Sequence, residues 1–337
     1  MKIIIMAGGQ GTRFWPRSVK QKPKQFLSLT STETMLQQSV RRFAQFLPLT
    51  SIYVLTTRQY SPMVFEQLPE LKQEQILLEP EPRDTGPCIA LAALHFLSGG
   101  NDEVLVTTPS DQYIPDAQAL WEALLQAEQI AQKGRSIVTL GIVPTRPETG
   151  YGYIETEEPD GEGGVVVAKA FIEKPHLEKA KQLIQQKNMY WNSGIFIWKP
   201  STIKHYMMLY QREMWTRLEG CGGQWEQVYH QLPKISIDYA ILEKASMIYT
   251  IPVTFEWDDV GIWTSLERVF GTDSEGNIMM GDVNSMLTNN SIIYTEHQKA
   301  IVIGIQDVII VSTADGLLVC HKSQEQHIKT MLKQLED

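Results

Sequence analysis

Residues 7–11 read Ala-Gly-Gly-Gln-Gly, directly after the short apolar run 2–6. A glycine-rich turn leaving a strand frees backbone N–H groups to point at phosphate oxygens, and a Cβ there would block the approach. Cations follow at once. Six basic residues and no acid lie between Lys2 and Leu29, although the whole chain carries a formal net charge of -9. Arg13 offers a planar fork for phosphate oxygens, and Lys24 a compact point charge. Pro16 and Pro23 restrict the basic loop, which lowers the entropy lost on closing over a ligand. The chemistry implied is the gripping of a polyphosphate. The plain alternative is a tight turn followed by a solvated basic loop. Two common phosphate motifs are excluded. Position 14 is Phe where a dinucleotide fingerprint wants a third glycine, and the stretch IYVLTTRQY lacks a ribose-binding acid. No Gly-Lys-Ser/Thr follows the last glycine, so the loop is not a P-loop.

Such a loop needs a scaffold. Residues 2–6, 52–56, 76–78, 104–107 and 136–142 read as short apolar strands. Leu36, Val40, Phe43 and Leu47 recur at helical spacing, and 85–97 and 116–133 also read as helices. This alternation predicts an α/β fold with a doubly wound, mostly parallel, Rossmann-like sheet. Ligands of such sheets bind beyond the carboxyl ends of the strands, where AGGQG and PSDQY fall. After Gly150, the pieces YGYIE, VVVAKAFIEK and GIFIW, with a helix near 177–187, read as strand additions to the sheet that could roof a pocket. EEPDGEGG (157–164) reads as an exposed acidic turn. Residues 283–320 are short β-type segments with turn signals and no helical pattern. They predict a small all-β unit, a solenoid of the left-handed β-helix kind. A terminal helix follows, with Ser323 and Gln326 as a capping box and Ile328, Met331, Leu332 and Leu335 as its apolar face. The expected domains are 1–265 and 280–337.

Bulk properties narrow the partners. Hydrophobic content of 43% and charged content of 20% are those of an ordinary soluble globular protein. The acidity argues against nucleic-acid binding, and the run 3–6 is too short to span a membrane. Cys88, Cys221 and Cys320 are scattered and odd in number, which fits a reducing cytoplasm.

GGQGTRFWPRS with KPKQF resembles the signature of nucleotidyltransferases that join NTPs to sugar 1-phosphates, and in detail that of the mannose-1-phosphate guanylyltransferases. FIEKP (171–175), WNSGIF (191–196) and EWDDVGIW (256–263) extend the similarity over nearly the whole chain. The resemblance implies that the phosphate oxygen of mannose 1-phosphate attacks the α-phosphorus of GTP, giving GDP-mannose and pyrophosphate without a protein nucleophile. Positioning and charge neutralisation carry such a reaction. Arg13 and Lys24 would then neutralise the triphosphate, and Lys174 would hold the sugar phosphate. Mg2+ would sit on Asp111 and Asp259. The nucleotide would contact Ala7, Gly8, Gly9, Gly11, Thr12, Glu79, Asp84, Thr85 and Ser110. The sugar would contact Gly150, Glu155, Glu173 and Asn192. Glu79 would accept from the N–H edge of guanine.

Two positions depart from the family. Gln112 stands where relatives usually carry His, and Asp84-Thr85-Gly86 where they often read Asn-Thr-Ala; a carboxylate only accepts, whereas an amide also donates. The rival readings are the same reaction on another sugar 1-phosphate or NTP, and a non-catalytic paralogue that binds nucleotide-sugar. Arg13, Lys24, Lys174 and Asp111 all being present counts against the second. The β unit would pack on the catalytic domain or mediate a homodimer.

Overall fold

The computed structural model describes residues 1–9, 11–158 and 164–336, so most of the expected acidic turn at 157–164 lies outside the described residues. Short β-branched runs become strands: β1 (Lys2–Met6), β2 (Ile52–Thr57), β3 (Ile76–Glu79), β4 (Leu105–Pro109) and β5 (Ile137–Ile142). The chain between them passes through α1 (Met35–Ala44), α2 (Ser61–Gln67), α3 (Thr85–Ser98) and α4 (Ala117–Ala131). Then follow β6 (Tyr153–Thr156), β7 (Val166–Ile172), α5 (Leu177–Leu183), β8 (Met189–Trp198), α6 (Pro200–Tyr210), α7 (Arg212–Gly220), α8 (Glu226–Tyr229) and β9 (Ile248–Val253). Among the described residues these strands form one nine-stranded sheet, in the order β3-β2-β1-β4-β8-β5-β9-β7-β6.

The half β3-β2-β1-β4 is parallel throughout. β8 then runs antiparallel to both β4 and β5, and β5 is parallel to β9. GIFIW joins the sheet as expected, but at its centre rather than as a cover: it belongs to a ten-residue strand, mostly buried along its length, because an apolar run on both faces can be buried only inside a covered sheet. α3 is apolar on nearly every side and buried from Gly86 to Leu94. It shares a core with Phe196 and Trp198 of β8 and with Ile203, Tyr206 and Met207 of α6.

By its contacts the chain divides into two compact units. The first holds Met1–Gly8, Ser39–Ser110 and Ile114–Trp257, and so the whole sheet. The second holds Gly9–Gln38, Asp111–Tyr113 and Asp258–Asp337. In the second unit lie α9 (Ser265–Phe270) and six short strands: β10 (Ile278–Met280), β11 (Val283–Met286), β12 (Ile292–Thr295), β13 (Ala300–Ile303), β14 (Val308–Thr313) and β15 (Gly316–His321). β10, β12 and β14 stack in parallel, β11 pairs with β13, and β15 closes the stack as an antiparallel hairpin partner of β14. Inside it, Asn277 Nδ2 donates to the Thr288 carbonyl at 2.8 Å, and Asn277 Oδ1 accepts from Ser291 N–H at 2.9 Å.

The core of this unit includes a segment far away in sequence. Phe14, Leu27, Leu29 and Met35 are buried with Trp263, Ile292, Ile309, Val311 and Ile328. The basic loop is thus packed on the small β unit. The expected capping box does not form: His321 accepts from Ser323 N–H, a 3₁₀ turn covers Lys322–His327, and α10 begins only at Ile328 (Ile328–Glu336). Of the expected apolar face, Ile328 and Leu332 join the core, whereas Met331 and Leu335 are 56% and 76% exposed.

Candidate active site

The loop residues of the second unit are held by tight backbone geometry. Gly11 has φ +56°, and a Cβ there would lie 2.4 Å from Lys24 Cβ, so only glycine fits. It precedes a 3₁₀ turn, Thr12–Phe14, that presents Arg13. The Arg13 guanidinium makes no hydrogen bond or ion pair among the described residues. Gln25 Nε2 donates to the Gly9 carbonyl at 2.9 Å, tying the glycine turn to KPKQF. Trp15 is fixed as well. Its carbonyl accepts from Trp263 Nε1 at 3.3 Å, and its ring lies against Gly316, where a Cβ would come within 2.7 Å of it. Arg17 sits 4.4 Å over the Tyr294 ring, so the basic loop is only in part a solvated one.

Lys24 is the hub of this unit. Its side chain is 5% exposed, and Nζ donates to the Asp259 carbonyl at 2.6 Å and the Asp111 carbonyl at 3.1 Å. Nζ also pairs with Asp111 Oδ2 at 2.9 Å. One ammonium thus gathers both aspartates proposed as metal ligands. Asp258 is otherwise engaged: buried, it pairs with Arg268 Nε at 2.6 Å and accepts from Val260 N–H at 2.8 Å. Asp259 Oδ1 accepts from Gly261 N–H at 3.0 Å in a tight turn. Asp111 and Asp259 offer hard carboxylate oxygens, the donor set that a magnesium-sized ion takes together with substrate oxygens.

In the first unit, the carboxyl ends of parallel strands line up. Ala7 N–H donates to the Leu55 carbonyl at 2.7 Å, and Ser110 N–H to the Met6 carbonyl at 3.1 Å. Glu79 and Thr57, at the ends of β3 and β2, flank Gly8. Asp84 caps α3 by accepting from Thr85 N–H at 2.8 Å, with φ +69°. The Thr85 hydroxyl accepts from Ile237 N–H at 2.8 Å, and Gly86 N–H donates to the Ile235 carbonyl at 2.9 Å. Both therefore position the segment that follows residue 234.

That segment carries a residue the sequence reading passed over. Residues Asp238–Leu242 form a π-helical turn, a feature often found at functional sites. Asp238 Oδ1 accepts from Asn192 Nδ2 at 3.0 Å. Burial, then the nearby Glu173 carboxylate, pushes the Asp238 carboxyl up to about 6. Glu173 is ion-paired with Lys174, whose φ is +40°. A Cβ on Gly152 would fall 2.9 Å from Glu173 Oε2 and 3.5 Å from Asn192 Cβ. Glu173, Lys174, Asn192 and Asp238 thus form one polar cluster with a glycine floor. Gly150 lies by Glu148 instead, donating its N–H to Glu148 Oε1 at 3.0 Å. Glu155 is half-buried on β6, in register with Met189 of β8. Arg146, also missed, stacks 4.8 Å over Trp191. Only the helical-looking stretch around Ser-Ile-Asp-Tyr-Ala marks Asp238 in the sequence.

No helix of the described residues is long and apolar enough to cross a membrane. Residues 2–276 match the nucleotidyl transferase family model, and 281–335 the MannoseP isomerase/GMP-like beta-helix domain. The chain is 34% identical to the alginate biosynthesis protein AlgA of Pseudomonas aeruginosa, over 99% of this chain and 72% of that protein. It is 35% identical to the mannose-1-phosphate guanylyltransferase RfbM of Salmonella typhimurium, over 99% of this chain and 72% of that one. A crystal structure of a mannose-1-phosphate geranyltransferase from Thermus thermophilus matches with a TM-score of 0.91 at 32% identity, covering 100% of this chain and 99% of that chain.

Proposed function

This chain belongs to the nucleotidyl transferase family, and from that premise we propose that it transfers GMP from GTP to α-D-mannose 1-phosphate. The sugar-phosphate oxygen attacks the α-phosphorus, the bond to the β-phosphate oxygen breaks, and pyrophosphate leaves. The observation that carries the reading is the buried Lys24 ammonium, bonded to both Asp111 and Asp259. A buried cation held against one carboxylate and against the backbone of a second aspartate suits the handling of a polyphosphate and its counter-ion. The name of the Salmonella relative supports mannose 1-phosphate and the guanylyl group.

The roles follow the chemistry of each group. Gly8, Gly9 and Gly11 present N–H groups to phosphate, with Ala7, Thr12 and Ser110 alongside. Arg13 and Lys24 neutralise the triphosphate, and Lys174 the sugar phosphate. Glu155, Glu173 and Asn192 take sugar hydroxyls, with Gly150 nearby and Asp238 holding the Asn192 amide in place. Asp84 and Thr85 shape the nucleotide side of α3. Asp111 and Asp259 would hold a divalent ion, Mg2+ in our reading, which neutralises charge as two phosphate groups approach. The catalytic domain is taken as 1–265 and the β domain as 280–337. The protein is placed in the cytoplasm on its scattered cysteines, and in a homodimer that covers the exposed Leu287, Ile301 and Ile303.

The test is a matrix of NTPs and sugar 1-phosphates with pyrophosphate as readout. GTP with mannose 1-phosphate should give the fastest release, and a chelator should stop it. A different best pair would move the reading to that pair; no release from any pair would end it.

A further inference from the structure

The two oxygens of Glu79 are not equivalent. Oε1 accepts from the Tyr229 hydroxyl at 2.8 Å and from Arg83 N–H at 3.2 Å. Oε2 faces Gly8, 3.4 Å from where a Cβ would stand, and no donor of the chain bonds it among the described residues. Tyr229, at the end of α8, is fully buried. Its segment is clamped by the Arg83 guanidinium, which donates to the carbonyls of His230 and Leu232. Thr57 lies beside Gly8 through its methyl group, and it is 4% exposed. Buried hydrogen-bonding capacity left unused is costly, so the unused Oε2 of Glu79 facing Gly8 points to a ligand that uses it.

We infer that Tyr229 is a positioning residue for base selection: by holding Oε1, it commits Oε2 of Glu79 to the ring N–H edge of guanine. The inference rests on the guanylyl transfer proposed above. Guanine presents donors on that edge, whereas adenine presents a ring acceptor that a carboxylate repels. A site built to hydrogen-bond one group rejects the analogue that lacks it. The charged and titratable groups around Glu79 are Tyr229 of α8, Cys88 of α3, and Glu81, Arg83 and Asp84 of the connection between β3 and α3. Burial raises the Glu79 carboxyl to about 7, while the bonds from Tyr229 and Arg83 pull it back down. Removing the Tyr229 hydroxyl therefore moves it higher.

The test is calorimetric binding of GTP and of ATP to the full-length protein between pH 6 and 9. Tyr229→Phe should weaken GTP roughly tenfold at pH 8 and leave ATP within about twofold. The pH at which GTP affinity is half lost should rise relative to wild type. Glu79→Gln should cost more of the preference and flatten its pH dependence. Equal loss for both nucleotides in Tyr229→Phe would mark a merely structural role and overturn the inference. So would wild-type protein that does not prefer GTP. Should Tyr229→Phe not fold, an unchanged GTP-to-ATP ratio in Glu79→Gln would overturn it as well. Binding is read without turnover, so absent pyrophosphate release would sink the reaction while the base preference still judges Tyr229.

Discussion

Lys24 is tied into the fold as firmly as it is into the proposed chemistry. Its ammonium satisfies two backbone carbonyls and a carboxylate, so its removal strands acceptors as well as a charge. Lys24→Ala should lower pyrophosphate release by about two orders of magnitude and also reduce stability by about 1–3 kcal/mol. Turnover assays with denaturant melts check both; full activity would dismiss the role. Glu79 gives a pH signature of its own. Its carboxyl is raised from 4.5 to about 7 in the fold, so folding favours the protonated form. The stabilisation is complete below about 4.5 and is lost as pH rises to about 7, roughly 3 kcal/mol in all. Glu79→Gln should therefore raise the melting temperature at pH 8 more than at pH 5, and an equal shift at both would refute the assignment. Asp238, raised to about 6, adds a smaller loss in the same direction.

At the scale of elements, the α3 start is the joint to test. A Cβ on Gly86 would stand 2.7 Å from the Ile235 carbonyl oxygen, a backbone atom that cannot step aside alone. Gly86→Ala should cost about 1–3 kcal/mol and displace the π-helical turn with Asp238. The expected outcome is a KM for mannose 1-phosphate raised several-fold with a smaller change for GTP. The first five strands and α3 are legible because each is a short apolar run between turn signals. β8 is legible as a strand but not as a central one, since its place between β4 and β5 is decided by partners roughly 50 to 90 residues away. α6, α7 and β9 go unseen for lack of caps or clean alternation. Ser323 and Gln326 have the spacing of a capping box, yet the His321 ring takes the Ser323 N–H first. Of the residues proposed for the site, Arg13, Lys24, Asp111 and Asp259 are readable from motif order, whereas Asp238, Tyr229 and Thr57 stand out only by burial and surroundings that no spacing encodes.

For the molecule as a whole, the small β unit has a task that its composition hides. Phe14, Trp15 and Arg17 of the basic loop rest on Trp263, Gly316 and Tyr294. Gly316→Val would press on the Trp15 ring and adopt φ +152° at a cost. It should lower pyrophosphate release without altering the circular dichroism of the sheet, and hydrogen exchange at residues 12–27 should quicken. Unchanged exchange would separate loop from β unit. The pairing also has a temporal side. Phe14 and Leu27 leave the ribosome well before Ile292, Ile309, Val311 and Ile328, which bury them. A nascent chain can therefore assemble strands β1 to β9 while its basic loop still lacks a bed to lie on.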